Sequence, residues 1–178
     1  MKKNNELRNL IIAALIVALE VVTVRLLPLS TYLPPGTFYV RFSLQTVWYA
    51  LAGWILGPGW AMGAAMTADL LGATLNPTGN GVIFLGYTVT AALSGLCFGF
   101  FLHRCKPSLL RVVLAVAAQS LLIALPLSAY WGSVVGTAPV AFWLSFWPAL
   151  PWRAAVVLPY TLVIYGLQRA LQKTVNTL

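Results

Sequence analysis

At 178 residues, with 60% hydrophobic residues, 8% charged residues and a mean hydropathy of +0.86, the chain is too apolar for a water-soluble domain, in which about a quarter of the residues are charged. Its formal net charge of +8 comes from 11 Lys and Arg residues against 3 acidic residues. Eight of these cations lie near the chain ends or in one hinge, a pattern typical of membrane topology and not of nucleic-acid binding.

Apolar runs separated by helix breakers predict an all-α integral membrane protein with six transmembrane helices, since about 20 residues cross the hydrocarbon layer. We expect a single domain over residues 1–178. The predicted helices cover residues 7–27, 38–56, 60–71, 82–102, 109–130 and 151–171. The first run follows a basic segment without a small-residue cleavage motif, so we expect it to be retained as a span.

The basic residues predict the orientation of this bundle. The eight peripheral cations lie at both termini and between the fourth and fifth helices, which predicts that these parts face the cytoplasm. Six spans satisfy the requirement that both termini share one side. The connections 28–37, 74–81 and 131–150 are then expected outside. The chain is thus predicted to be a multi-pass protein of the cell membrane.

Four ionisable residues fall at similar depth near the predicted outer side, each on a different helix. Their charges sum to +2, which suits a ligand with one or two carboxylates held bidentately by guanidinium groups. Any single arginine could instead extend to the lipid headgroups, and the acidic residue could form a structural salt bridge. The four residues are Arg25, Arg41, Asp69 and Arg153.

The predicted outer loop at 74–81 is unusually rich in amide side chains and glycines. Asn76, Thr78 and Asn80 offer hydrogen-bond donors and acceptors to a ligand, while Phe84 and Tyr87 could stack on a planar ring. Tyr130 and Trp131 could stack as well. For the tryptophans at 131, 143, 147 and 152, however, a membrane-interface belt is the favoured interpretation.

Small residues on the first helix suggest a close helix–helix contact. Ala14 and Ala18 have a small-xxx-small spacing, which allows either a partner protein or another helix of this chain to approach. Arg25 falls on nearly the same stripe. It can therefore reach a site in this chain only if the helix bends or unwinds near its outer end. Glu20, on another face, is either a hydrogen-bonded structural acid or a proton-handling group.

Catalytic motifs are missing from the sequence. No phosphate-binding GxxxxGK[ST] loop occurs, so an ATP-driven process would need a separate ATPase. His103 is the only histidine, and Cys97 and Cys105 follow no metal or redox spacing. We therefore expect no enzymatic activity, and neither a metal nor a cofactor in this chain.

Three stretches of the sequence carry a resemblance to a known family, and the tail is also similar to it. The stretches are Tyr39-Val40-Arg41-Phe42-Ser43, Gly57-Pro58 through Asp69-Leu70-Leu71-Gly72, and Gly86-Tyr87-Thr88-Val89-Thr90-Ala91, and the tail is Pro151-Trp152-Arg153 with Leu158-Pro159. They resemble the substrate-binding S components of energy-coupling factor (ECF) vitamin transporters of prokaryotes, and the folate-specific S component in particular. In the third stretch, Leu85 precedes the motif where that family has proline, and Tyr87 replaces phenylalanine.

The resemblance implies a function and partners. Such S components form six-helix bundles that bind their vitamin from outside, gated by loops that correspond to 28–37 and 74–81. Folate would supply a pterin ring and a glutamate tail with two carboxylates. A transmembrane coupling protein (EcfT) and two ECF ATPase subunits, which hydrolyse the ATP, would complete the transporter, with Ala14 and Ala18 facing the coupling protein.

Three other readings stay open at this point. The ligand could be another vitamin or precursor, such as pantothenate, pyridoxine or a pyrimidine. A solitary proton-coupled carrier could use Glu20 and Asp69. A structural or assembly membrane protein would bind no small ligand at all, and its outer arginines would be replaceable by glutamine.

Overall fold

A computed structural model describes residues 2–26, 31–33, 40–75, 85–135 and 142–175. It contains seven α-helices, two π-helical segments and one two-stranded hairpin within these residues. In chain order the elements are α1 (Lys2–Val21), π1 (Val22–Leu26), β1 (Thr31–Leu33), β2 (Val40–Phe42), α2 (Gln45–Leu56), α3 (Pro58–Leu75), α4 (Leu85–Leu102), α5 (Leu109–Ala117), π2 (Ala118–Ala124), α6 (Leu125–Val135) and α7 (Phe142–Val175).

Four helical segments of the described chain are long and apolar enough to cross a membrane. They are Glu6–Val24, Leu85–Leu102, Leu109–Val134 and Phe142–Gln172. The 12 residues of α2 extend only about 18 Å at 1.5 Å per residue, against a hydrocarbon layer of about 30 Å. Four of the six predicted spans are therefore found as such, and the count of six stays a prediction.

The predicted second helix begins later than expected, because its first part is a strand. β2 pairs antiparallel with β1, with Tyr32 opposite Arg41 and Leu33 opposite Val40. The segment 40–42 combines a β-branched and an aromatic residue, which favour strands, and the helical interpretation of its apolar run was wrong there. Apart from this one short hairpin, the regular secondary structure of the described residues is helical, as predicted.

The predicted connector at 131–150 is largely helical. Helix α6 continues to Val135 and α7 already begins at Phe142, with Pro148, Pro151 and Pro159 inside its 34 residues. We expected proline to start the last helix, but membrane helices tolerate internal prolines because neighbouring groups satisfy the freed carbonyls. On its first turns, Trp143 and Trp147 are stacked and exposed, which fits the interface belt.

Glycines allow α2, α3 and α4 to pack at unusually close range. A Cβ on Gly95 would come within 2.5 Å of the Ala61 carbonyl oxygen, and one on Gly53 within 2.5 Å of the Gly99 amide nitrogen. Neither backbone can move away cheaply, so only glycine fits. Around this centre, Phe98 of α4 and Ile164 of α7 belong to one fully buried core cluster.

A sharp turn joins α2 to α3 at Gly57, whose φ of 91° lies in the left-handed region that glycine adopts without steric cost. A Cβ there would also meet the His103 ring at 3.0 Å. The α2–α3 turn and the segment after α4 therefore lie at the same end of the bundle.

Candidate functional site

Hydrogen bonds between helices cluster at one end of the bundle, which we call the hairpin end because β1 and β2 lie there. They join π1 to α2, α3 to α4, α4 to α6, α6 to α7, and α7 to the residue that precedes α2 by two positions. The linked side chains are Thr23 with Trp48 (2.8 Å), Asp69 with Thr88 (2.8 Å), Thr90 with Trp131 (3.0 Å), Ser128 with Arg153 (3.4 Å), and Tyr160 with the backbone of Ser43 (2.8 and 2.9 Å).

Asp69 is held within this set of bonds. Its side chain is 8% exposed, and its Oδ2 atom accepts a hydrogen bond from the Thr88 hydroxyl at 2.8 Å. A buried carboxylate needs such donors, because removal from water disfavours its charged form. The bond also ties the end of α3 to the start of α4.

Arg153 has one buried donor without a partner among the described residues at the same end. Its Nη2 atom donates a long hydrogen bond of 3.4 Å to Ser128 Oγ. Its Nε atom is buried and has no hydrogen-bond partner among the described residues. Since buried N–H groups are nearly always paired in native proteins, this guanidinium group is suited to an additional acceptor.

The segment that carries Arg41 is tied to the last helix by a single tyrosine. The Tyr160 hydroxyl accepts a hydrogen bond from the Ser43 amide and donates one to the Ser43 carbonyl oxygen. Arg41 lies two residues before Ser43, and Arg153 lies seven residues before Tyr160 on α7. These bonds therefore link the chain next to β2 to the helix that carries Arg153.

The winding of the first helix changes just before Arg25. The chain turns from α-helix to the wider i→i+5 winding of π1 at Val22, which shifts the following residues off the Ala14–Ala18 stripe. A change of winding near the outer end is what a role of Arg25 in a site of this chain would need, and that role stays a prediction. Thr23 fixes this segment, since its hydroxyl accepts a hydrogen bond from the Trp48 indole and donates one to the Leu19 carbonyl oxygen.

Tyr87 lies at the open end of the buried face of α4. It is 48% exposed, whereas Ala91 and Ser94, on the same helical stripe, are buried. Its side chain is thus about half exposed at the hairpin end. Four other predicted site residues lie outside the described residues: Asn76, Thr78, Asn80 and Phe84.

Sequence reasoning missed a buried polar seam beneath these residues. Gln119 in π2 donates to Ser94 Oγ (3.3 Å) and accepts from Ser120 Oγ (3.2 Å), and Ser94 donates to the Thr90 carbonyl oxygen (2.8 Å). Thr90 in turn accepts from the Trp131 indole, which is therefore more than a belt residue. The signal was available, because Gln119 and Ser120 interrupt an otherwise apolar span.

A second surface, which we call the α1/α3 groove, runs along the outside of the bundle. Ala14 and Ala18 are exposed and line this apolar groove of about 970 Å³, together with Gly59 and Gly63 of α3. Among the described residues, a Cβ on either glycine would meet no atom within 4 Å apart from its own stretch of helix. These small residues are therefore not needed for packing inside the chain, unlike Gly53 and Gly95.

Replacement of Tyr160 by phenylalanine is expected to lower the free energy of unfolding by about 2–4 kcal/mol, because the buried Ser43 N–H and C=O groups both lose their partner, at about 1–3 kcal/mol each. Thermal unfolding in detergent measures this loss. Tyr165→Phe removes a hydroxyl from the same helix and serves as the control. Equal unfolding temperatures for the two variants would contradict the assigned role of Tyr160.

Comparisons with known proteins agree with this fold. No model of a protein family matches the chain. The folate transporter FolT of Clostridium novyi (strain NT) is 29% identical over 166 residues, which cover 93% of this chain and 89% of that protein. The folate transporter FolT of Leuconostoc mesenteroides subsp. mesenteroides is 34% identical over 127 residues, which cover 70% of this chain and 63% of that protein.

A solved structure extends the likeness to three dimensions. The crystal structure of FolT bound with folic acid matches with a TM-score of 0.76 and 25% identity, over 90% of this chain and 92% of that one. The resemblance seen in the sequence motifs is thereby confirmed, and the chain is FolT-like in both sequence and fold.

Proposed function

We propose that this FolT-like membrane protein binds folate at the hairpin end of its helix bundle and takes part in folate uptake. The observation that carries the proposal is the structural match to FolT bound with folic acid, which extends over nine-tenths of the chain. In this proposal the protein is the S component of an ECF transporter in the cell membrane, with six spans and both termini in the cytoplasm.

The chemistry of the hairpin end supports an anionic, aromatic ligand. Arg153 has a buried Nε donor without a partner in the described chain, and a ligand carboxylate would satisfy it. Arg25 and Arg41 would add charge for the second carboxylate of a glutamate tail. Asp69 would accept N–H groups of a pterin ring, on which Tyr87 would stack. Asn76, Thr78 and Asn80 of the predicted outer loop at 74–81, together with Phe84, would complete the site.

The α1/α3 groove supports a second part of the proposal, namely assembly with a transmembrane coupling protein. Lipid tails are as apolar as the groove, so burial of apolar surface alone does not drive a partner helix into it. Small exposed residues instead allow another helix to approach closely and to gain packing contacts. Ala14, Ala18, Gly59 and Gly63 provide such an approach. Two partner ATPases would supply the energy, because this chain has no phosphate-binding loop.

Calorimetric titration of folic acid into the purified chain, with pantothenate and pyridoxine as controls, tests the substrate. We expect near-stoichiometric folate binding with a dissociation constant on the nanomolar scale, about −12 kcal/mol at 1 nM. If a control vitamin bound and folate did not, the ligand of this protein would be that vitamin and not folate. Silence from all three in a folded sample would refute folate binding and favour the proton-coupled carrier or the assembly protein.

A further inference from the structure

A polar cleft lies at the end of the bundle opposite the hairpin end. We call this end the basic end. The cleft has a volume of about 490 Å³ and is formed by α1, the end of α2, the segment after α4 and the end of α7. Separate parts of the chain thus converge on it. Its lining includes the side chains of Arg8, Trp54, His103, Arg104, Lys106 and Gln172.

The charged side chains of the described residues that line this cleft are all cationic, namely Arg8, Arg104 and Lys106. Glu6, two residues before Arg8 on α1, does not line it. The His103 Nδ1 atom is also buried there without a hydrogen-bond partner in the described chain. The cleft is therefore suited to an anion.

Arg104 occupies a backbone position at which glycine would be the default. Among the described residues, Arg104 is the one non-glycine residue with a positive φ, at 54°. The preceding helix is closed by bonds from the His103 amide to the Gly99 carbonyl oxygen (3.1 Å) and from the Cys105 amide to the Leu102 carbonyl oxygen (3.2 Å). An L-residue in this left-handed cap costs free energy that glycine would not, which points to a role for the arginine side chain.

The floor of the cleft is apolar. Ile12, Ile55, Leu56 and Pro107 contribute to it beside Trp54, whose indole donates to the Cys105 carbonyl oxygen at 3.3 Å and so holds the 103–107 segment against α2. A cationic rim over an apolar floor, at the end of membrane-spanning helices, matches an amphiphile with an anionic headgroup. Basic pockets between helix ends are known to bind such lipid headgroups.

We propose that this cleft binds the phosphate group of an anionic phospholipid, with Arg104 and Lys106 donating to the phosphate oxygens and the glycerol region resting on the apolar floor. The proposal does not depend on folate, since the two sites lie at opposite ends of the bundle. Free phosphate carries the same charge chemistry but would leave the apolar floor uncovered.

Native mass spectrometry and thermal unfolding of the purified chain in a neutral detergent test this site, with phosphatidylglycerol, phosphatidylcholine and inorganic phosphate as the probes. We expect phosphatidylglycerol to remain bound and to raise the unfolding temperature, and the other two probes to have little effect. Arg104→Gly and Lys106→Gln should each weaken phosphatidylglycerol binding about fivefold, the effect of one cation near an anionic lipid.

The variants separate lipid binding from folding. Arg104→Gly relieves the left-handed backbone strain, so its unfolding temperature without lipid should equal or exceed that of the wild type. Arg111→Gln removes an exposed cation that does not line the cleft and should bind lipid as the wild type does. Equal stabilisation by both phospholipids, a response to inorganic phosphate alone, or wild-type lipid binding by Arg104→Gly would each overturn the proposal. So would occupation of the cleft by an acidic segment of a copurified protein.

Discussion

Replacing Arg153 by glutamine is expected to weaken folate binding about 100-fold. Loss of one partner from a buried, hydrogen-bonded charge pair costs about 2–5 kcal/mol, and every 1.4 kcal/mol is a factor of ten in affinity. Glutamine retains a polar group for Ser128, so the helix contact between α6 and α7 can survive the change. Calorimetric titration of folic acid into the variant measures the loss.

Two further variants sharpen this test. Arg153→Lys retains the positive charge but cannot bind a carboxylate bidentately, so its affinity should fall between those of the wild type and the glutamine variant. Arg111→Gln removes an exposed cation from α5 and should leave the affinity unchanged. If Arg153→Gln bound folate as tightly as Arg111→Gln, the hairpin end would not contain the carboxylate site that we propose.

Replacing Ala18 by tryptophan is expected to abolish copurification with the coupling protein and ATPases that we propose as partners, while folate affinity stays within about twofold of the wild type. The indole would fill part of the α1/α3 groove and keep a partner helix at a distance, and close approach is what such small-residue surfaces provide. Affinity purification of the coexpressed complex, followed by folate titration of the isolated chain, measures both quantities.

Leu15 supplies the matched control for this prediction. It lies on the same helix, is 58% exposed and does not line the groove, so Leu15→Trp places an indole toward lipid. This variant should assemble as the wild type does. Intact assembly of Ala18→Trp would contradict the groove as the docking surface. Loss of folate binding in Ala18→Trp would instead show that Ala18 is required for the fold.

The long apolar runs predicted α1, α4, the 109–135 segment and the later part of α7, because hydrophobic length is the dominant signal in a membrane protein. That same signal misassigned residues 40–42, where three residues are too few for periodicity to separate strand from helix. It also misplaced the start of α7, since Pro148 and Pro151 would break a helix in water but are tolerated in a bundle.

The candidate site was partly visible in the sequence for a related reason. Charged residues such as Arg153 and Asp69 stand out in an apolar chain whatever their surroundings. Ser43 and Tyr160 do not, because their bond joins positions 117 residues apart and either residue alone is ordinary. Gln119 shares features of both cases. Its polar side chain stands out in an apolar span, but its partner Ser94 could not be identified without the fold.

The close glycine contacts also have a mechanical consequence. Sliding of α4 along α2 or α3 would drive backbone against backbone at Gly53, Gly95 and Gly99, where no flexible side chain can absorb the displacement. Helices α2, α3 and α4 therefore form a rigid unit that resists sliding of one helix along another. If the protein reorients in the bilayer, α3 and its side of the α1/α3 groove would move together with α2 and α4 as one rigid unit.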